Sequence, residues 1–287
     1  MLYIGCPMWG YKDWVGRGKL FPVRTAASEF LRIYSRKLTS VEGNTVFYAL
    51  PSQETVMRWR QETPETFRFC PKVSRSISHA PRLDEYREET QQFVERMRLL
   101  GTRLGPVFLQ LPPQFGPERL PELQAFLEDW PTDVRLAVEV RHAGFFAEPH
   151  AAALDGMLAQ HHMARVVMDT RPIRTGTPQE QEVLSARERK PHLPVHSVTT
   201  TDFTFVRYIG HPEPEVNAPL LAEWAQQIGQ WVKQGVTCYA FCHCPFEVHS
   251  PDICVELYRL AREQAPLPAL PWGQEEEPPQ WEQGRLF

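Results

Sequence analysis

Short apolar runs recur along the chain, and each ends in polar residues. Leu2-Tyr-Ile-Gly-Cys6 leads into Trp9-Gly10, Ser40-Val41 into Glu42 and Asn44, and Phe67-Arg-Phe-Cys-Pro71 into Lys72. Val107-Phe-Leu109 ends at Gln110, Leu136-Ala-Val138 at Glu139 and Arg141, and Arg165-Val-Val-Met168 at Asp169. Phe203-Thr-Phe-Val206 ends at Arg207, and Cys238-Tyr-Ala-Phe241 at Cys242-His243-Cys244. These read as eight strands, most of them followed by a helix-like stretch. The pattern predicts an α/β chain folded as a (β/α)8 TIM-type barrel, a fold that places its chemistry at the C-terminal ends of the strands.

The intervening stretches carry helical periodicity. Ala26 to Lys37 sets Phe30, Leu31, Ile33 and Tyr34 on one broad face. A helix is expected after Pro51 with Ser52 as its N-cap, then from Asp84 to Leu100 with Gly101 closing it. Further helices are expected over Pro121–Trp130, Pro149–His162, Ala218–Gln234 and Pro251–Glu263. The gap from Asp169 to Phe203 is irregular, with at most a short helix around Glu180 to Arg189. Following strand six, it should lie over the mouth. From about Gln264 the chain turns rich in proline and glutamate and loses periodicity. Residues 1–263 are therefore expected to form the barrel and 264–287 a flexible tail.

The length of 287 residues suits one barrel plus that tail. A net charge of −4 supplies no global field for nucleic acid, although a local basic mouth is compatible with it. No apolar run approaches the roughly 18 residues of a membrane span, and the start of the chain does not read as a secretory leader. Six dispersed cysteines fit reduced, packed thiols, so a cytoplasmic protein without membrane attachment is expected.

Longer motifs carry a resemblance. Gly5-Cys-Pro-Met-Trp9-Gly10 with Trp14, Val41-Glu42-Gly-Asn44-Thr-Val-Phe47-Tyr48-Ala-Leu-Pro51-Ser52, and Phe67-Arg-Phe69 with Lys72 occur in order. They are followed by Leu104-Gly-Pro-Val-Phe-Leu-Gln110-Leu-Pro-Pro113 and Ala137-Val-Glu139-Val-Arg141-His142. With these motifs the chain resembles the YecE-like family, a domain of unknown function, across roughly residues 2 to 260. The resemblance implies a (β/α)8 fold and no reaction. Departures fall late, at Arg207-Tyr208-Ile209-Gly210, at Phe241-Cys242-His243 and at Ser250-Pro251-Asp252-Ile253-Cys254.

Glu42 and Asn44 stand two apart on a strand and share a face, as do Glu139 and Arg141. Glu42, Glu139 and Asp169 are the candidate catalytic carboxylates for general acid–base work of hydrolase or isomerase type. Asn44, Lys72, Gln110, Arg141, Arg207, Trp9 and Tyr48 are the candidate substrate contacts. The basic members suit a phosphate or carboxylate. The competing reading is a structural network in which these charges serve one another. Lys72, if desolvated, suits a Schiff base. Trp9, Trp14, Phe47, Tyr48 and Phe115 are either a stacking wall or ordinary packing. The cysteines near His243 lack zinc spacing, and no strong metal or nucleotide-cofactor motif is found, so the cofactor is left unknown.

The chain ends Gln283-Gly-Arg-Leu-Phe287. This resembles the pentapeptide by which bacterial replication and repair proteins dock on the DNA sliding clamp, with Gln283, Leu286 and Phe287 as the contacts. The leading expectation is thus a barrel acting on or binding a phosphate-bearing substrate, extending to nucleic acid or a nucleotide in DNA repair. The rival is a non-catalytic adaptor tethered to the clamp.

Overall fold

The computed structural model describes residues 1–176 and 180–272. Eight parallel strands follow one another with helices between them. The first half runs β1 (Leu2–Gly5), α1 (Phe30–Tyr34), β2 (Ser40–Gly43), α2 (Gln53–Glu62), β3 (Arg68–Pro71), α3 (Arg75–Ser78), α4 (Arg87–Arg98) and β4 (Val107–Gln110). The second half runs α5 (Leu120–Asp129), β5 (Leu136–Glu139), α6 (His150–Gln160), β6 (Ala164–Asp169), α7 (Arg171–Arg174) and α8 (Gln181–Arg189). It closes with β7 (Phe203–Ile209), α9 (Pro214–Lys233), β8 (Thr237–His243) and α10 (Ser250–Gln264).

Local chemistry explains several boundaries. The Ser52 hydroxyl accepts from Thr55 N at 3.2 Å, capping α2 as expected. In α4, Glu88 and Glu89 occupy the first turn and Arg96 and Arg98 the last, matching the helix dipole. Gly101 follows with φ of +59°, a conformation in which a side chain would be strained.

The expected single closed ladder of eight strands is not what forms. Strands pair as a six-stranded parallel sheet, β1-β8-β7-β6-β5-β4, and a separate two-stranded sheet, β2-β3. At the β1–β2 seam, side chains take the place of ladder bonds. Ile4 N donates to Thr39 Oγ1 at 2.8 Å, Cys6 N donates to the Tyr34 hydroxyl at 2.7 Å, and that hydroxyl donates to Ser40 O at 3.0 Å. Direct backbone bonds are few there, Thr39 N to Ile4 O at 3.2 Å and Glu42 N to Cys6 O at 3.1 Å. A Cβ on Gly5 would stand 1.9 Å from Ser40 O, so only glycine lets the strands approach this closely. At the β3–β4 seam only isolated bridges form, Phe69 with Leu104 and Lys72 with Phe108. The result is a curled, barrel-like α/β fold with two seams.

Apolar residues fill both sides of the sheets. The larger core lies between the sheets and the helices. A smaller one fills the interior, with Cys70, Phe108, Ala137, Val166, Phe205 and Phe241. Phe108 and Phe205 stand 5.1 Å apart, and Phe205 and Phe241 4.8 Å apart. These rings floor the cleft described next.

The chain after α10 stays on the body rather than leaving it at Gln264. Leu267 and Leu270 are buried, the Tyr258 hydroxyl donates to Pro268 O at 3.1 Å, and Trp272 N donates to Lys37 O at 3.1 Å. The packed body thus runs to Trp272, nine residues past the expected end of the barrel at 263. Gln283, Leu286 and Phe287 lie outside the described residues.

Candidate functional site

Inward side chains alternate along each strand, and the last inward position is polar on most of them. Glu42 is the penultimate residue of β2, Gln110 ends β4 and Glu139 β5, while Arg207 lies on β7 and His243 ends β8. Lys72 follows β3 directly and bridges to Phe108 of β4. A cleft of about 810 Å³ opens above them. Its walls include Trp9, Asn44 and Tyr48 from the first two strand–helix connections, and Glu247 after β8. Ala186, Arg189 and Lys190 reach it from α8 and its end. The irregular segment after β6 does lie over the mouth, as its position in the chain predicts.

One guanidinium organises the floor. Arg207 donates from Nε and Nη2 to the two Glu42 oxygens at 2.8 Å each, and from Nη1 to Glu139 Oε2 at 2.6 Å. Arg141 donates to Glu139 Oε1 at 2.7 Å and to Gln110 Oε1 at 2.8 Å. Asn44 Nδ2 donates to Glu42 Oε1 at 2.7 Å, and His243 Nε2 lies 3.0 Å from Glu42 Oε2. Both carboxylates are thus spoken for on both oxygens, which is the structural-network reading. The position of Arg207, 5.4 Å from the Phe108 ring, explains why: over an apolar floor an unpaired charge is costly.

Burial pushes the Glu42 carboxyl up, but the charge of Arg207 and the bond from His243 outweigh it and hold it well below the usual range. Glu139 is likewise raised by burial yet brought to about 2, by Arg207 and Arg141. His243 is lowered to about 4, mainly by burial, and is neutral at physiological pH. A buried general base of ordinary strength is therefore not found in these two carboxylates.

Two lysines are differently placed. Lys72 Nζ donates to Gln110 Oε1 at 3.1 Å and stands 3.9 Å from the Phe47 ring centre. Neither Lys72 nor Lys190 has an ion-pair partner among the described residues. Burial, and then the charge of Arg207, lowers each of them to about 8. Glu247 moves the opposite way, raised by burial to about 7, while Ser250 Oγ donates to it at 2.6 Å.

The structure brings Glu42, Asn44, Lys72, Gln110, Arg141, Arg207, Trp9 and Tyr48 to one cleft, with Glu139 bonded to two of them, Arg207 and Arg141. It does not bring Asp169. That residue shares the parity of Arg165 and Val167 and faces outward, where it accepts from Trp224 Nε1 at 2.8 Å and from Arg171 Nη2 at 2.8 Å. It ties β6 to α9 and has no place in the mouth. His243, by contrast, shares the inward parity of Tyr239 and Phe241. Trp14 and Phe115 of the proposed stacking wall are core residues, whereas Tyr48 is 80% exposed at the rim. Lys190 and Glu247 were not singled out from the sequence. Lys190 falls in the irregular segment, and nothing in its local pattern marks it. Glu247 stands four residues after His243, and that proximity to a strand end was the available signal.

Among the described residues no group of three His, Cys, Asp or Glu side chains is placed to hold a metal ion. The six cysteines are free and buried. Cys6 and Cys254 approach to 3.8 Å between sulfurs behind β1. A second cavity, of about 340 Å³, lies between α4 and α5 with Leu83, Tyr86, Val94 and Phe126 in its lining, away from every strand end. No described helix is long and apolar enough to cross a membrane.

Comparison with known proteins agrees with this architecture. Over 276 residues the chain is 37% identical to the UPF0759 protein YecE of Escherichia coli, covering 94% of this chain and 98% of that protein. It is 28% identical over 159 residues to the UPF0759 protein YunF of Bacillus subtilis, covering 52% of this chain and 54% of that one. Among solved structures, a DUF72 family protein from Enterococcus faecalis superposes with a TM-score of 0.69 at 18% identity, covering 94% of this chain and 97% of that one. One from Thermotoga maritima gives 0.66 at 22% identity, covering 92% and 98%. At such identities the two structures speak to the fold alone. Residues 3–275 match the family described as "Protein of unknown function DUF72", and the chain belongs to that family.

Proposed function

We propose that the cleft binds a phosphate-bearing small molecule. The observation that carries this reading is its charge balance. Lys72, Arg141, Arg189, Lys190 and Arg207 line it, against the carboxylates of Glu42 and Glu247, with Glu139 bound beneath by Arg207 and Arg141. Arg207 satisfies Glu42 and Glu139, which leaves two desolvated ammonium groups that an incoming anion would stabilise. Lys72 and Glu247, which titrate at about 8 and about 7, are the groups suited to moving protons on a bound substrate. In this reading the protein is a cytoplasmic enzyme of hydrolase or isomerase type.

Calorimetric titration with inorganic phosphate tests it. Binding should weaken about tenfold or more in Lys72→Met and Arg141→Ala, since a charge-assisted hydrogen bond contributes roughly 1.5–3 kcal/mol. Binding of sulfate, whose charge is constant in this range, should weaken as pH rises above about 8 and the two lysines lose their protons. A wild-type protein that binds neither anion at millimolar concentration counts decisively against the proposal.

The adaptor reading, with its link to DNA repair, rests on Gln283, Leu286 and Phe287. A filled mouth would favour it, and an open polar cleft with Glu42, Lys72 and Arg141 unpaired the small-molecule reading; the cleft is open and Lys72 has no ion pair among the described residues, while Glu42 and Arg141 are paired.

A further inference from the structure

Resting on the reading of the cleft as an anion site, we infer that Lys72 is a nucleophilic amine and that the substrate is a phosphate-bearing aldehyde or ketone, held as an imine. Lys72 shares the mouth with Lys190, and what sets it apart is its place at the end of a strand. Of Lys12, Lys19, Lys37, Lys72, Lys190 and Lys233, only Lys72 sits at a strand end inside the mouth, and it is 7% exposed. Its one hydrogen-bond acceptor among the described residues is neutral, the Gln110 amide oxygen at 3.1 Å, and that oxygen also accepts from Arg141 at 2.8 Å. The carboxylates that would pin an ammonium, Glu42 and Glu139, are already engaged by Arg207 and Arg141. A lysine that only balanced charge would be expected to hold one of them.

The groups facing Lys72 act in both directions. Burial is the strongest influence and favours the free amine. Arg207 and Arg141 favour it too, while Glu139 and Glu42 favour the ammonium. The Phe47 ring at 3.9 Å supports the cation, and His79, whose ring centre lies 5.4 Å from that of Phe47, is itself lowered below its ordinary value by burial and by Lys72. The balance leaves an amine near 8, so roughly a tenth of it is unprotonated at neutral pH. This is the desolvated lysine beside cations that carbonyl condensation requires.

The step balances without a co-reactant. The free amine adds to the carbonyl carbon, forming a C–N bond and a carbinolamine. The carbonyl oxygen then leaves with the two amine protons as water, the C–O bond breaks, and a C=N bond remains. Arg141 and Lys190 would hold the phosphate while this occurs. Nothing is oxidised or reduced until a reductant is supplied from outside.

The probe is pyridoxal 5′-phosphate, an aldehyde carrying a phosphate, followed by borohydride and peptide mapping by mass spectrometry. On the wild-type protein, Lys72 should be modified about tenfold or more faster than the exposed Lys12 and Lys233, because the free-base fraction at neutral pH rises with each unit the pKa falls. Inorganic phosphate should protect Lys72 and leave the exposed lysines unchanged. Pyridoxal lacking the phosphate should label it several-fold more slowly. Lys72→Arg, which keeps the charge, should lose the cleft adduct. Labelling spread over exposed lysines with Lys72 spared overturns the inference even with a folded wild-type protein in hand. If phosphate binds by calorimetry yet Lys72 is not modified, the anion site stands and the nucleophile falls; if phosphate does not bind, both fall.

Discussion

Arg207 places one guanidinium between two carboxylates above an aromatic floor, so its removal would leave Glu42 and Glu139 buried with too little compensation. Arg207→Met should cost about 3–5 kcal/mol in denaturant unfolding, the range for breaking a buried pair by deleting one partner. A loss below about 1 kcal/mol would mean that water reaches the network. Acid should act through the same residues. Both carboxylates are held below their ordinary values, so their contribution is present above the unfolded-state pKa of 4.5 and is lost in acid, that of Glu139 as pH falls towards about 2. His243 titrates at about 4 in the folded chain against 6.5 unfolded, so the unfolded state binds more protons between those values and stability falls there too as pH drops. Glu247 has the opposite sign. It is raised from 4.5 to about 7, so the folded state binds more protons across that window and stability declines as pH rises through it. Glu247→Gln should therefore be more stable than wild type at pH 8 by about 1–2 kcal/mol and should show no gain at pH 4. Thermal unfolding of both proteins at the two pH values decides it, and an equal difference at both would remove the titration as the cause.

Among the elements, the strands were legible and their facing was only partly so. Parallel strands covered on both sides read as continuous apolar runs, so alternation is faint and a terminal polar residue does not announce its side. Glu42 with Asn44, and Glu139 with Arg141, escape this because polar residues at i and i+2 declare a shared face. Asp169 does not escape it. Its parity partner Arg165 is an outward residue paired to Asp155 at 2.8 Å, and on that evidence Asp169 belongs with Trp224 and Arg171 rather than with the mouth. The seams were invisible for a different reason. Nothing in a strand pattern shows that Thr39 and Tyr34 hydroxyls will occupy ladder positions between β1 and β2. The segment carrying α7 and α8 gives an element-scale prediction. Arg174 Nη2 donates to Arg187 O at 2.7 Å and to Lys190 O at 2.6 Å, and Arg187 donates to Thr175 O and Gly176 O at 3.0 Å each. These bonds hold Lys190 at the cleft. Arg187→Ala should loosen the segment and weaken phosphate binding several-fold, with a stability change within about 1 kcal/mol because this unit packs at the margin of the fold. Amide exchange should rise in α8 and not in β7. Faster exchange throughout the sheet would show that the segment supports the whole body.

At the scale of the whole molecule, the boundary between body and tail follows from packing rather than composition. Proline-rich sequence from Gln264 suggested an extended linker, yet Leu267 and Leu270 alternate with prolines and exposed positions so that both leucines reach the core. Trp272 then covers the end of α1, with Lys37 Nζ 5.3 Å from its ring. Two truncations separate the roles of these regions. A chain ending at Gln264 loses both leucines, the Tyr258 to Pro268 bond and the Trp272 contacts, and should be less stable by about 2–4 kcal/mol, given roughly 1.5–3 kcal/mol for each apolar side chain buried. A chain ending at Trp272 keeps every contact described and should match the full-length protein in unfolding. The shorter chain would confuse loss of fold with loss of a partner, whereas the longer one removes Gln283, Leu286 and Phe287 cleanly. If those residues dock on a sliding clamp, the full chain should bind purified clamp at micromolar concentration. The chain ending at Trp272 and the Leu286→Ala, Phe287→Ala double variant should both fail to bind, while all three should bind phosphate equally. Clamp binding that survives in the truncated chain would place the contact on the body, and no binding by the full chain at tens of micromolar would end the adaptor reading.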